Sequence, residues 1–236
     1  MRDVQLLKMG KETLVVASDN SGAIGLKQQD AVHVPYDIVG YYTFRVAAME
    51  CYCAGATPEA VILQNFCGDK AWDGLVKGIT RGLHELSIPD VPITGSTESN
   101  FSLVQSAVGL TVLGKRTNDA SMSAIPFLEN TKVAVIGLPL VGNEVIEQDK
   151  EVAPLQLVKE LSQLEEAVLL PVGSKGVLYK LNRLFSNRTF LKNEVNSVIN
   201  LEKTSGPSTC CLIAFPAEKE NMVRELSGHN YHEVTF

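Results

Sequence analysis

Five carboxylates stand where the chain is expected to change direction, Asp3, Asp19, Asp37, Asp69 and Glu98, and a sixth, Glu50, lies inside an otherwise acid-free apolar stretch. Asp19 follows a β-branched run, Leu14 to Ala17, and Glu50 lies in the Tyr41 to Ala54 segment. Carboxylates taken out of water are costly unless a cation or hydrogen bonds compensate them. Asp19 and Glu50 therefore mark the first place to look for chemistry. Acids from different strand ends that converge can hold magnesium, which bridges one or two carboxylates to substrate phosphates and keeps several waters. Each acid also has a plainer reading: Asp37 as a helix N-cap, Asp69 as a turn residue, Asp3 as a solvated terminus.

Other chemistries lack their motifs. The chain has no G-x-x-x-x-G-K-[ST] loop and no G-x-S-x-G elbow, and its Gly22 to Gly25 run lacks the dinucleotide fingerprint. Five cysteines (51, 53, 67, 210 and 211) form no C-x-x-C pair, which points to idle or buried thiols rather than a zinc site or disulfide framework. A formal charge of −6 without a basic cluster argues against nucleic-acid binding. No apolar run reaches the roughly 18 residues of a membrane span, so a cytoplasmic protein is expected.

These acids must be positioned by strands and helices of ordinary length. Hydrophobic residues make up 45% of 236, enough for a sizeable core. Strands are expected at Val4–Leu7, Thr13–Ala17, Ala31–Val34, Val61–Asn65, Val91–Thr94 and Ser106–Leu113, with loose chain from Ser18 to Gly22. Tyr41–Ala54 reads as a helix buried on most faces, and Ala71–Leu86 as an amphipathic one. Periodicity lapses from Lys115 to Lys132, which divides the chain into a domain at 1–120 and a second at 131–236. The second carries strands at Lys132–Gly137, Ala167–Pro171 and Cys210–Phe215. Its helices are expected at Pro154–Leu164, Gly176–Phe185 and Ala217–Leu226. Without strict βαβ alternation, two α+β units are favoured over one doubly wound sheet.

The order of motifs resembles the ATP-binding superfamily of aminoimidazole ribonucleotide synthetase, selenophosphate synthetase and thiamine-monophosphate kinase. Ala17-Ser18-Asp19-Asn20 is similar to that family's strand ending in Thr-Thr-Asp-Gly. Gly40 and Glu50 have its glycine-to-acid spacing, and Cys53 to Pro58 matches its Ala-x-Gly-Ala-x-Pro helix end. Thr94-Gly95-Ser96-Thr97, next to Glu98, resembles its Gly-Gly-acid-Thr loop. Val135 to Gly142, Gly173 to Val177 and Ser208 to Pro216 are similar to segments of its second domain. The departures are Glu50 for Asp, Ser96 for an acid, and no acid before Lys175.

The resemblance implies a two-domain PurM-like α+β fold whose N-terminal mixed sheet dimerises, so the expected partner is a second copy of the chain. It implies ATP and magnesium as cofactors, with Asp3, Asp19, Glu50 and Glu98 as metal ligands. Asn20, Gly22, Gly95, Ser96 and Thr97 would contact phosphates; Asp19, Lys175 and Arg116 would serve the transfer itself. The wording SDNSGAIG, HVPYDIVGYY and NFCGD is most similar to the compact α-ribazole kinase branch, which phosphorylates a nucleoside 5′-hydroxyl in corrinoid salvage. Tyr41, Phe66 and Trp72 are candidates to stack on such a base. Two other functions stay open: an ATP-dependent synthase or dehydratase that activates an amide oxygen, and a regulatory protein that binds nucleotide without turnover.

Overall fold

The computed structural model describes residues 3–116 and 123–236, which form two compact units. The first is a five-stranded mixed sheet with helices on one face. Strand β1 (Val4–Met9) and β2 (Glu12–Gly22) form an antiparallel hairpin around Gly10 and Lys11, with Met9 opposite Glu12. Gly10 has φ 65, the left-handed conformation that such a tight turn requires. The short strands β3 (Ile24–Gly25) and β4 (Val32–His33) pair in parallel before α1 (Tyr36–Cys53). Then come β5 (Ala56–Asn65), α2 (Trp72–Glu85), β6 (Ile93–Thr97) and β7 (Ala107–Arg116). The sheet order is β1-β2-β7-β5-β6, with β5 and β6 parallel and all other pairs antiparallel.

Strand β2 runs farther than its composition suggests. Ser18 to Gly22, expected to be loose, continues the ladder opposite Thr111 to Ala107. The cross-strand partners in β7 impose extended backbone on a polar segment whose own propensity favours a turn.

Helix α1 follows Pro35 and is buried along most of its length, including Gly40, Arg45 and Glu50. It ends at Ala54, whose carbonyl accepts a hydrogen bond from Arg116 Nε at 3.0 Å. Gly55 then takes a left-handed φ of 75. Asp37 is not the N-cap; it lies in the first turn, where its carboxylate pairs with Lys77 at 3.2 Å. Helix α2 packs against α1 through two glycines. A Cβ on Gly40 would stand 2.2 Å from the Leu75 carbonyl oxygen, and one on Gly78 would stand 2.0 Å from that of Asp37. The helices therefore meet backbone to backbone.

The second unit is an antiparallel sheet of order β11-β8-β10-β9. In chain order its elements are β8 (Thr131–Ile136), α3 (Glu144–Glu147), α4 (Leu155–Ser162), β9 (Val168–Pro171) and α5 (Gly176–Leu184). They are followed by β10 (Cys211–Pro216), α6 (Glu220–Ser227) and β11 (Tyr231–Val234). Strand β10 is buried apart from its last residue, and Val177, Leu181, Leu184 and Phe190 complete one side of this core. The unit begins before residue 131: Ile125 bridges Phe185, and the Phe127 amide donates to Asn187 Oδ1 at 2.7 Å. The boundary segment expected from Lys115 to Lys132 includes residues 117–122, outside the described ones. Edge strand β11 had no sequence signal, because Tyr-His-Glu-Val does not alternate apolar with polar.

Candidate functional site

Which face of the sheet each candidate occupies follows from strand alternation. A Cβ on Gly114 would lie 2.3 Å from Cys51 Sγ, so Gly114 faces α1. Val15 pairs with Gly114, and Ala17 and Asp19 follow on that same covered face. Asp19 is half-buried there, and burial pushes its carboxyl up to about 6 against a smaller opposing pull from the Asn20 amide. Such a group gains most from a cation.

The start of β1 brings the Asp3 backbone to this corner, with Asp3 itself exposed. Val4 pairs with Ala17, which places Asp3 next to the Ser18–Asp19 step. The Asp3 amide donates to Glu50 Oε2 at 3.4 Å, so buried Glu50 leans from α1 over the same strand ends. Among the described residues no three His, Cys, Asp or Glu side chains close into a group that could hold a metal ion. A magnesium ion shared with a phosphate needs only one or two carboxylates, and half-buried Asp19 supplies one such donor.

Glu98 stands elsewhere. It follows β6, three strands from β2 and so about 14 Å away across the sheet. Its Oε1 accepts the amides of Asn100 at 2.7 Å and Phe101 at 3.1 Å, which curls the loop beyond it. The four acids thus occupy two places in the unit. Arg116 is farther still. It pairs with Thr13, six residues along from the Asp19–Leu110 pair, roughly 20 Å at strand rise, and its Nε is used at the end of α1. Lys175 belongs to the second unit, where it precedes α5 and its ammonium lies 4.7 Å from the Tyr179 ring centre.

The expected phosphate contacts divide likewise. Asn20 and Gly22 are exposed at the end of β2, and a Cβ on Gly22 would meet nothing within 4 Å. Gly95 is a packing residue, since its Cβ would come 1.9 Å from the Leu63 carbonyl oxygen. Ser96 is exposed on the uncovered face. Thr97 Oγ1 accepts a hydrogen bond at 3.1 Å from buried Asn65, which also fixes Gly68 O and the Cys67 amide.

Beyond the shared carboxyl ends of β5 and β6 lies a pocket of about 570 Å³. The 66–70 and 98–104 loops and the 27–29 segment form its walls, with Phe66, Leu103 and Lys27 on different segments. Of the three aromatic candidates, Phe66 lines this pocket; Tyr41 is buried, bonded to Glu85 at 2.7 Å and covered by Arg81 at 3.7 Å. Trp72 is half-buried at the start of α2.

The residues that sequence reasoning missed are Lys27, Asp30, Asn65 and Ser106. Asp30 is buried, which alone would raise its carboxyl. Hydrogen bonds from the Ser106 amide and hydroxyl and the Lys27 amide, with a smaller contribution from His33, outweigh burial and hold it below the usual range. Asp30 and Ser106 are 76 positions apart, so no local pattern could pair them.

No protein-family model matches the chain, and no curated protein matches it. Solved structures do share its architecture. Thiamine monophosphate kinase from Aquifex aeolicus superposes with a TM-score of 0.66 at 13% identity, over 99% of this chain and 88% of that one. A structure described as AaThiL complexed with AMPPCP and TMP gives 0.66 at 12% identity, over 99% and 83%. HypE from E. coli, a hydrogenase maturation protein, gives 0.62 at 12%, over 93% and 78%. This likeness establishes the architecture: a PurM-like α+β fold spanning nearly the whole chain.

Proposed function

We propose that the protein is a magnesium-dependent ATP phosphotransferase that moves the γ-phosphate to the hydroxyl of a small nucleoside-like acceptor, with the 5′-hydroxyl of α-ribazole as the best candidate. The observation that carries the reading is Asp19: a half-buried carboxylate, pushed up to about 6 by burial, inside β2 on the sheet face covered by α1, the helix that carries buried Glu50. The presence of AMPPCP in the AaThiL structure supports ATP as the ligand of such a fold.

Asp3, Asp19 and Glu50 are the residues that would hold magnesium, and Glu98 is a separate ligand toward the pocket. Magnesium, when bound, neutralises phosphate charge that carboxylates alone would repel. Exposed Asn20 and Gly22 then offer donors to phosphate oxygens, and Thr97, whose hydroxyl accepts from Asn65, keeps its own proton to donate. Gly95 and Ser96 serve indirectly, one by letting β6 lie close to β5, the other by extending the strand. Transfer of this kind depends on alignment and charge neutralisation more than on covalent help. Asp19, as a metal-bound acid, would receive the acceptor's proton only from a hydroxyl that reaches out of the pocket to β2. Lys175 and Arg116 are assigned roles only through family resemblance, and in Arg116's case a link between strand β7 and α1 is the better reading.

The pocket beyond β5 and β6 supplies the acceptor site, with Phe66 as the stacking surface. A second copy of the chain is the proposed partner. Leu14, Val16, Leu113, Ala60 and Ile62 alternate onto the face opposite α1, the helix that packs on the sheet among the described residues of this unit. A nucleotide-binding protein without turnover is the second reading, favoured by Ser96 in place of an acid. Incubation with labelled ATP, magnesium and a nucleoside panel separates the two: the first reading expects a stable phosphomonoester, the second binding with no product.

A further inference from the structure

The acceptor pocket is held by a network that none of the proposed magnesium ligands joins. Its hub is Asp30, which accepts the Ser106 amide and hydroxyl, each at 2.7 Å, and the Lys27 amide at 2.8 Å. Gln105 Nε2 adds a bond to the Gln29 carbonyl at 2.7 Å. From the segment so fixed, the Lys27 ammonium crosses to the carbonyls of Phe66 at 3.2 Å and Leu103 at 2.9 Å, one in each of the other two walls.

An ammonium group has three donors, and two are spent here. Carbonyl oxygens do not cancel its charge, and among the described residues Lys27 forms no ion pair. The pocket's two carboxylates are engaged with other groups: Glu98 holds the Asn100 and Phe101 amides of its own wall, and Asp69 accepts the Ser99 hydroxyl of the facing wall at 2.6 Å. A cation fixed by two anchors, with one donor and its whole charge unspent, is arranged to receive an anion. Phe66 and Leu103 place apolar surface beside it.

We propose that Lys27 binds a phosphate group of the ligand in this pocket, and that Asp30 is the positioning residue that holds Lys27 in place. The choice of phosphate over another anion rests on the phosphotransferase reading, in which the product bears a new phosphomonoester. Geometry alone supplies the rest.

Titration of inorganic phosphate into the full chain, followed by calorimetry, tests both parts. Lys27→Gln is expected to weaken binding about tenfold or more, as loss of a charge-assisted bond would. Asp30→Asn is expected to weaken it less, and the double variant to bind no worse than Lys27→Gln, because Asp30 acts through Lys27. Unchanged binding in Lys27→Gln, or no binding by the unaltered chain, overturns the Lys27 assignment. Unchanged binding in Asp30→Asn, or losses that simply add, overturns the role of Asp30. Should Asp30→Asn fail to fold, Ser106→Ala replaces it, with a smaller loss expected and no loss contradicting the proposal. Magnesium-dependent ATP turnover measured on the same unaltered chain keeps the outcomes apart. Lost turnover with phosphate binding intact counts against the phosphotransferase reading, not against Lys27.

Discussion

At the scale of single residues, two aspartates show how burial divides function from stability. Asp19 is desolvated with little local compensation, whereas Asp30 is desolvated and fully compensated. Removing the charge at Asp19 therefore relieves a cost: Asp19→Asn is expected to raise the stability of the nucleotide-free, chelator-treated protein by about 1–2 kcal/mol. The same change should abolish ATP turnover. A thermal melt beside a turnover assay checks this, and a destabilised variant with full activity would contradict it. Asp30→Asn should do the reverse and cost about 2 kcal/mol at neutral pH. Because the folded carboxyl lies below its unfolded value of 3.8, this contribution is present above that pH and is lost as pH falls through the folded value. Denaturant titrations at pH 7 and well below pH 4 should show the difference between the two proteins closing. The sequence made Asp19 visible, since a β-branched run led into it. Asp30 stayed hidden in a polar stretch whose partner is 76 residues away.

At the scale of elements, glycines do more than the motifs suggest. The spacing of Gly40 and Glu50 carries a motif resemblance, and in this fold Gly40 is where α1 touches α2. A methyl group at Gly78 would fall against the backbone of Asp37 and Tyr41, which cannot yield as a side chain can. Gly78→Ala should therefore cost about 3 kcal/mol, while Gly22→Ala, where space is open, should stay within about 0.5 kcal/mol. Equilibrium unfolding of the two variants decides it, and equal effects would rule out the close helix crossing. The periodic helix α2 was legible in the sequence, and so was the second half of β5 from Val61, whereas its first half reads as a helix end. The polar end of β2 was not, because its extended form is set by pairing with β7. Strand β11 was not, because a short edge strand carries too few residues for a period to show.

At the scale of the whole molecule, the first unit has one face covered by α1 and the other lined by half-buried aliphatic residues. A sheet face that groups aliphatic side chains in this way marks an interaction surface. Sedimentation analysis should give the mass of two chains, and Val16→Asp should give one; a monomer in the unaltered protein would count against pairing through this face. The two-unit α+β architecture was readable from the lapse of periodicity and the mixed order of elements. The pocket was not, since its walls come from three segments that only the fold brings together.

Phosphoryl transfer from ATP at Asp19 is the central proposed activity. The most direct measurement follows γ-labelled ATP incubated with the purified chain, magnesium and α-ribazole. Label should pass to the acceptor as a phosphomonoester with one ADP formed per product, and the transfer should stop on chelation or in Asp19→Asn. Intact ATP and no bound nucleotide after the same incubation would contradict the central claim.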